Sequence, residues 1–126
     1  MDTGQSRQMM RRARLPALLA FAALLAAGCV RPTLYSWGQY EELIYGSYAA
    51  PGAVSPQMQI EKLEADYQKA RSENRPVPPG FHAHLGFLYF QLGKLDQAQQ
   101  ELETEKANFP ESAVFMDRLL SNLRKN

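Results

Sequence analysis

After residue 29, apolar residues recur every three or four positions, which is the spacing of helices that pack one face against a core. Clusters of proline and glycine at 50–52, 75–80 and 108–110 divide this region into segments. Alternation of apolar and polar residues never lasts long enough to indicate a strand, and β-branched residues are scarce. We therefore expect an all-α fold.

The pattern predicts five helices, at about 37–48, 56–74, 79–92, 95–108 and 111–124. The second is expected to begin with Ser55 as N-cap and Pro56 in the first turn. The predicted core positions are Trp37, Tyr40, Ile44 and Tyr48 in the first helix, Ile60, Leu63, Tyr67 and Ala70 in the second, Phe81, Leu85, Leu88, Tyr89 and Leu92 in the third, Leu95, Ala98 and Leu102 in the fourth, and Phe115 or Met116 with Leu119, Leu120 and Leu123 in the fifth.

The third helix carries a second apolar stripe, formed by Ala83, Phe87 and Phe90. Stripes at helical spacing are more often core than surface, so core is the first interpretation of this stripe. The alternative is a contact surface for another protein. Tyr45 falls off the main stripe of the aromatic first helix, and it is the candidate there for an exposed partner contact, since tyrosine is frequent at interface hot spots.

The N-terminus has the pattern of a cleavable signal peptide over residues 1–28. Four arginines and one aspartate are followed by 13 uncharged residues from Leu15 to Ala27. A helix needs about 20 apolar residues to span a bilayer, so a permanent membrane-spanning helix is the weaker alternative.

The run from Leu25 to Cys29 resembles a lipobox, although its leucine lies one position further from the cysteine than usual. The resemblance implies cleavage between Gly28 and Cys29, lipid on the Cys29 sulfur and a short tether over 29–34. The alternative is a free thiol behind an ordinary signal-peptidase site. Because Val30 is not the aspartate that retains enterobacterial lipoproteins at the inner membrane, the same resemblance implies the periplasmic face of the outer membrane.

Charge and motifs exclude several classes of function. Removal of residues 1–28 leaves ten basic and twelve acidic residues, with no basic patch for nucleic acid. His82 and His84 lie two apart on a helix, so they cannot share a metal and are expected at the surface or at the boundary of the core. Glu101, Glu103 and Glu105 are expected to form a solvated face. We find no catalytic motif and expect a non-enzymatic protein without cofactor, metal or small-molecule substrate.

The middle of the domain resembles one tetratricopeptide repeat, in the residues Leu85, Gly86, Tyr89, Gly93, Leu95, Ala98, Leu102 and Pro110. The resemblance implies antiparallel helices that approach at Gly86 and Ala98, in a short array closed by atypical end helices over residues 35–126. Two positions depart from the pattern: His82 replaces an early tryptophan, and Glu105 replaces a late alanine.

The lipobox, the motif at 35–41 and the repeat at 85–110 together resemble a family of small bacterial lipoproteins of unknown function. Such proteins are typically encoded beside a lipoprotein similar to the curli-secretion channel. The resemblance implies a lipid-anchored adaptor that binds another envelope protein. The alternatives are a regulatory or structural factor in peptidoglycan synthesis or outer-membrane assembly, and a ligand carrier.

Overall fold

The computed structural model describes residues 33–125, which form five α-helices. Their bounds are α1 Tyr40–Ala49, α2 Pro56–Ser72, α3 Phe81–Gln91, α4 Leu95–Asn108 and α5 Ala113–Leu123, with a 3-10 turn at Pro110–Ser112 before α5. No residue between 33 and 125 lies in a strand, so the all-α prediction is confirmed. None of the helices in this range has the length and hydropathy that crossing a membrane requires.

The start of α2 follows the predicted capping signal. The Ser55 hydroxyl oxygen accepts a hydrogen bond from the Met58 N–H at 3.3 Å, and Pro56 occupies the first turn, where its missing N–H has no cost. By contrast, α1 begins at Tyr40 rather than at residue 37, because residues 38 and 39 form a turn.

Helices α3 and α4 form a tight antiparallel hairpin around Gly86. A Cβ atom at Gly86 would lie 3.1 Å from both the Ala98 carbonyl oxygen and the Leu102 Cδ2 atom. Ala98 is fully buried. The close approach predicted at Gly86 and Ala98 is therefore present.

The buried apolar side chains form two clusters. The larger contains residues of all four helices from α1 through α4: Leu43, Ile60, Leu63, Ala70, Val77, Phe81, Leu85, Leu88, Tyr89 and Ala98. The smaller joins α4 to α5 and contains Leu102, Met116 and Leu120. Each fully buried leucine contributes about 1.5–3 kcal/mol to folding, so the larger cluster supplies most of the apolar stabilisation.

Several predicted core positions are wrong at the edges of this core. Leu43 is buried on α1, whereas Tyr48 is 83% exposed, so the buried face of α1 is turned away from the predicted stripe. Leu92 and Leu95 are exposed because they flank the connection between α3 and α4, outside both clusters. Of the two alternatives on α5, Met116 is buried and Phe115 is exposed.

Candidate functional site

An apolar groove lies between α3 and α5, over the α4 side chain Leu102. Its volume is about 320 Å³. The groove exists because α5 packs on α4 through Met116 and Leu120 and leaves a gap beside α3. The residues that line it are Ala83, Gly86, Phe87, Phe90, Leu102, Leu119, Asn122 and Leu123.

Phe87 and Phe90 are exposed in this groove, at 52% and 40% of their surface. The interpretation of these two rings as core is therefore wrong, because the gap beside α5 leaves them uncovered. Ala83 is half-buried and packs against the smaller apolar cluster. The structure thus brings the whole predicted stripe of α3 to one solvent-accessible apolar surface.

A second pocket, of about 620 Å³, adjoins the first and lies between α1 and α3. Phe87 lines both pockets, so its ring stands between them. The second pocket is more polar, since Ser47, Gln59, His84 and Gln91 contribute to its wall. We call the two pockets together the concave groove.

The polar wall of the concave groove is held by a hydrogen-bond network around Gln59. The Gln59 Oε1 atom accepts hydrogen bonds from His84 Nε2 and from the Ser47 hydroxyl, both at 3.3 Å, and Gln59 Nε2 donates to the Val54 carbonyl at 3.0 Å. Burial lowers the pKa of His84 below its ordinary value. A neutral imidazole therefore faces any occupant at neutral pH.

Tyr45 is exposed as predicted, at 74% of its surface, but it is not part of the concave groove. It lines a pocket of about 270 Å³ on α1, together with Glu42 and Lys62, and this pocket adjoins the concave groove at Ser47 and Gln59. Gly28 and Cys29, the predicted cleavage and lipidation site, lie outside the described residues.

The family model of a domain of unknown function, DUF4810, matches residues 34–119, which is more than half of the chain. This chain belongs to the DUF4810 family. No curated protein and no solved structure matches it. The DUF4810 match contains α1 to α4 and the first part of α5, so the concave groove lies within it except at Asn122 and Leu123.

The DUF4810 domain also contains a partly buried polar pair that the sequence pattern did not reveal. His82 is buried, and its Nδ1 atom lies 2.6 Å from the Glu101 Oε2 atom of α4. The expectation of a surface or boundary position is therefore wrong for His82, because α4 covers it and supplies a carboxylate partner, whereas His84 is half-buried as expected. The only signal in the sequence was the departure from tryptophan at this position.

Glu105 is the second polar residue whose position was predicted wrongly, since it is buried rather than solvated. Its Oε1 atom accepts a hydrogen bond from the Gly80 N–H at 2.6 Å, and Oε2 accepts one from the Ala83 N–H at 3.3 Å. Gly80, with φ of 90°, precedes α3 and has no side chain that could cap it. The carboxylate from α4 therefore caps α3 and complements its dipole.

Within residues 33–125, no group of three or more histidine, cysteine, aspartate or glutamate side chains is placed to hold a metal ion. The concave groove instead offers exposed aromatic rings, aliphatic side chains and a few neutral polar groups. Such a surface is suited to bind apolar side chains of another molecule.

Proposed function

We propose that the protein is a non-enzymatic adaptor, anchored by a lipid on Cys29 to the periplasmic face of the outer membrane, whose concave groove binds another envelope protein. The observation that carries the proposal is the exposure of Phe87 and Phe90 along an apolar groove. Exposed rings in a preformed concavity are typical of the residues that dominate interface binding energies.

The shape of the concave groove favours a polypeptide as its occupant. Two pockets adjoin at Phe87, and residues from all five helices line them, so one ligand could contact several helices at once. One pocket is apolar and the other is partly polar, which suits a segment that carries both kinds of side chain. The first candidate partner is the channel-like lipoprotein that the sequence resemblance implies as a genetic neighbour.

The proposed anchor places this partner near the membrane. A cysteine that carries two or more acyl chains stays in the bilayer, because each buried methylene contributes about 0.8 kcal/mol. Since the tether from Cys29 to Leu34 has six residues, the DUF4810 domain would reach only partners close to the same leaflet.

Crosslinking in intact cells tests the groove, with Phe87→Glu and Phe90→Glu combined in one variant. We expect recovery of the crosslinked partner to fall about tenfold or more, because hot-spot residues each contribute about 2 kcal/mol or more. The matched control is Phe115→Glu, which changes a 59% exposed phenylalanine outside the groove and should leave recovery unchanged. Unchanged recovery with a folded double variant would remove the groove from the interface.

A further inference from the structure

A third cleft, of about 490 Å³, lies between the ends of α2 and α4 and shares no lining residue with the concave groove. Its polar lining consists of Arg71, Asn74, Arg75, His82 and Asn108, and its apolar lining includes Tyr35, Tyr67 and Phe109. None of the residues that line it is acidic. The cleft therefore presents positive charge beside aromatic rings.

Arg75 is held in place at this cleft by the start of the domain. Its Nη2 group donates to the Thr33 carbonyl at 3.0 Å, to the Thr33 hydroxyl at 2.8 Å and to the Tyr35 carbonyl at 2.9 Å. Its Nη1 atom lies 3.8 Å from the Glu73 carboxylate, which is a weak surface pairing. The guanidinium is thus oriented before any ligand arrives.

Arg71 is the available cation of the cleft. The carbon of its guanidinium group lies 5.9 Å from the centre of the Tyr67 ring. This guanidinium makes no hydrogen bond or ion pair with any residue from 33 to 125. A guanidinium stacked on a ring keeps its N–H groups free to bind an anion.

His82 also lines this cleft, with a side chain that is almost fully buried. The side chain is 2% exposed, and Nδ1 is bound to Glu101, but Nε2 is buried without a hydrogen-bond partner. Nε2 lies on the other side of the imidazole from Glu101. An imidazolium has N–H groups at both nitrogens, so it could donate Nδ1–H to Glu101 and Nε2–H to a ligand oxygen. A buried nitrogen without a partner beside a ligand-sized cleft can be satisfied by a ligand, which would accept from a protonated Nε2 or donate to an unprotonated one.

We infer that this cleft binds a phosphate group, through Arg71, Arg75 and the Nε2 atom of His82. Arginine forks match the oxygens of phosphate, and charge-assisted hydrogen bonds to them are the strong ones. The aromatic side of the cleft leaves room for an ester attached to the phosphate.

The phosphate could belong to a lipid headgroup or be free in solution. Thr33, which bonds Arg75, follows Cys29 by four residues, and four residues extend at most about 14 Å. A headgroup in the same leaflet is therefore within reach if Cys29 carries lipid, so this source rests on the proposed function, whereas free phosphate does not.

The test uses the purified full-length protein in a neutral detergent, labelled with ¹⁵N-histidine. It is titrated with inorganic phosphate and, separately, with dihexanoyl phosphatidylglycerol, against sodium chloride of the same ionic strength. We expect a saturable shift of the His82 Nε2 resonance. Arg71→Gln should weaken binding about tenfold or more, as for loss of a charged hydrogen-bond partner. Arg118→Gln, which removes the same charge on α5 away from the cleft, should leave binding unchanged.

Saturation by inorganic phosphate supports a free source, and saturation by the lipid alone supports a headgroup. Absence of a saturable shift with both probes would overturn the inference, as would equal weakening by Arg71→Gln and Arg118→Gln. Since the phosphate arm involves neither the lipid nor the concave groove, its result is independent of partner crosslinking.

Discussion

The Glu105 carboxylate joins two helices through backbone hydrogen bonds rather than through an ion pair. It belongs to α4, yet both of its oxygens accept N–H groups from the start of α3. The first N–H groups of a helix have no partner within the helix, so this single side chain replaces the capping residue that Gly80 cannot provide.

Replacement of this carboxylate should destabilise the fold. We expect Glu105→Ala to lower the free energy of unfolding by about 1–3 kcal/mol, because it leaves buried N–H groups without acceptors. The measurement is the midpoint of chemical denaturation. Glu103→Ala removes an exposed glutamate two residues away on α4 and should shift the midpoint far less. Equal effects of the two changes would contradict the capping role.

The imidazole of His84 should make stability fall in mild acid. Burial lowers its pKa in the folded protein, so as the pH drops through about 6.5 the unfolded chain binds the proton first and is favoured. The contribution of His84 is complete above that pH and is lost below it. Denaturation at pH 7.5 and pH 5.5 should show a smaller loss of stability for His84→Gln than for the unchanged protein. The same loss in both would disprove this assignment.

The positions of His82 and Glu105 were beyond prediction from the sequence for a physical reason. A charged side chain on a helix is normally solvated, and only a partner brought close by the fold reverses that preference. For His82 the partner is 19 residues away, and for Glu105 the two partners are 25 and 22 residues away. Departures from the repeat pattern marked both positions, but they did not reveal the contacts.

At the scale of helices, the sequence predicted helix ends most accurately where capping or helix-breaking residues mark them. The observed bounds of α4 match the predicted range at both ends, and α2 begins directly after its predicted N-cap, Ser55. The apolar stripe of Ala83, Phe87 and Phe90 was also predictable, because helical spacing determines which residues share a face. The exposure of this stripe could not be predicted from the sequence, since it depends on the gap that α5 leaves beside α3.

The contact between α3 and α4 can be tested by substitution of Gly86, with Gly46 on α1 as the control. The two changes are expected to alter the free energy of unfolding in opposite directions. Gly86→Ala should destabilise the protein by about 1–3 kcal/mol, because the new methyl group would press against Ala98 and Leu102. Gly46→Ala on α1 meets no atom within 4 Å and should stabilise it by about 0.5–1 kcal/mol through helix propensity. The measurement is the midpoint of thermal denaturation of each variant. A higher midpoint for Gly86→Ala than for the unchanged protein would rule out the close approach.

At the scale of the whole molecule, the proposed lipid determines where the domain acts. Cys29→Ala should abolish incorporation of radiolabelled palmitate and leave the protein uncleaved or released from the membrane, because no thiol remains to receive the diacylglycerol. Membrane fractionation and lipid labelling in cells are the measurements. Persistent labelling of the variant would refute lipidation at this residue.

The capping by Glu105 has a counterpart at α1, where the Gln39 N–H donates to the Asp66 carboxylate of α2 at 2.6 Å. In each pair, the first helix depends on the second for protection of its leading amide. Amide exchange with solvent at Gln39 and Gly80 should therefore report the opening of α2 and α4, not fraying of α1 and α3. Consequently opening of α2 should also expose the start of α1, and opening of α4 should expose the start of α3.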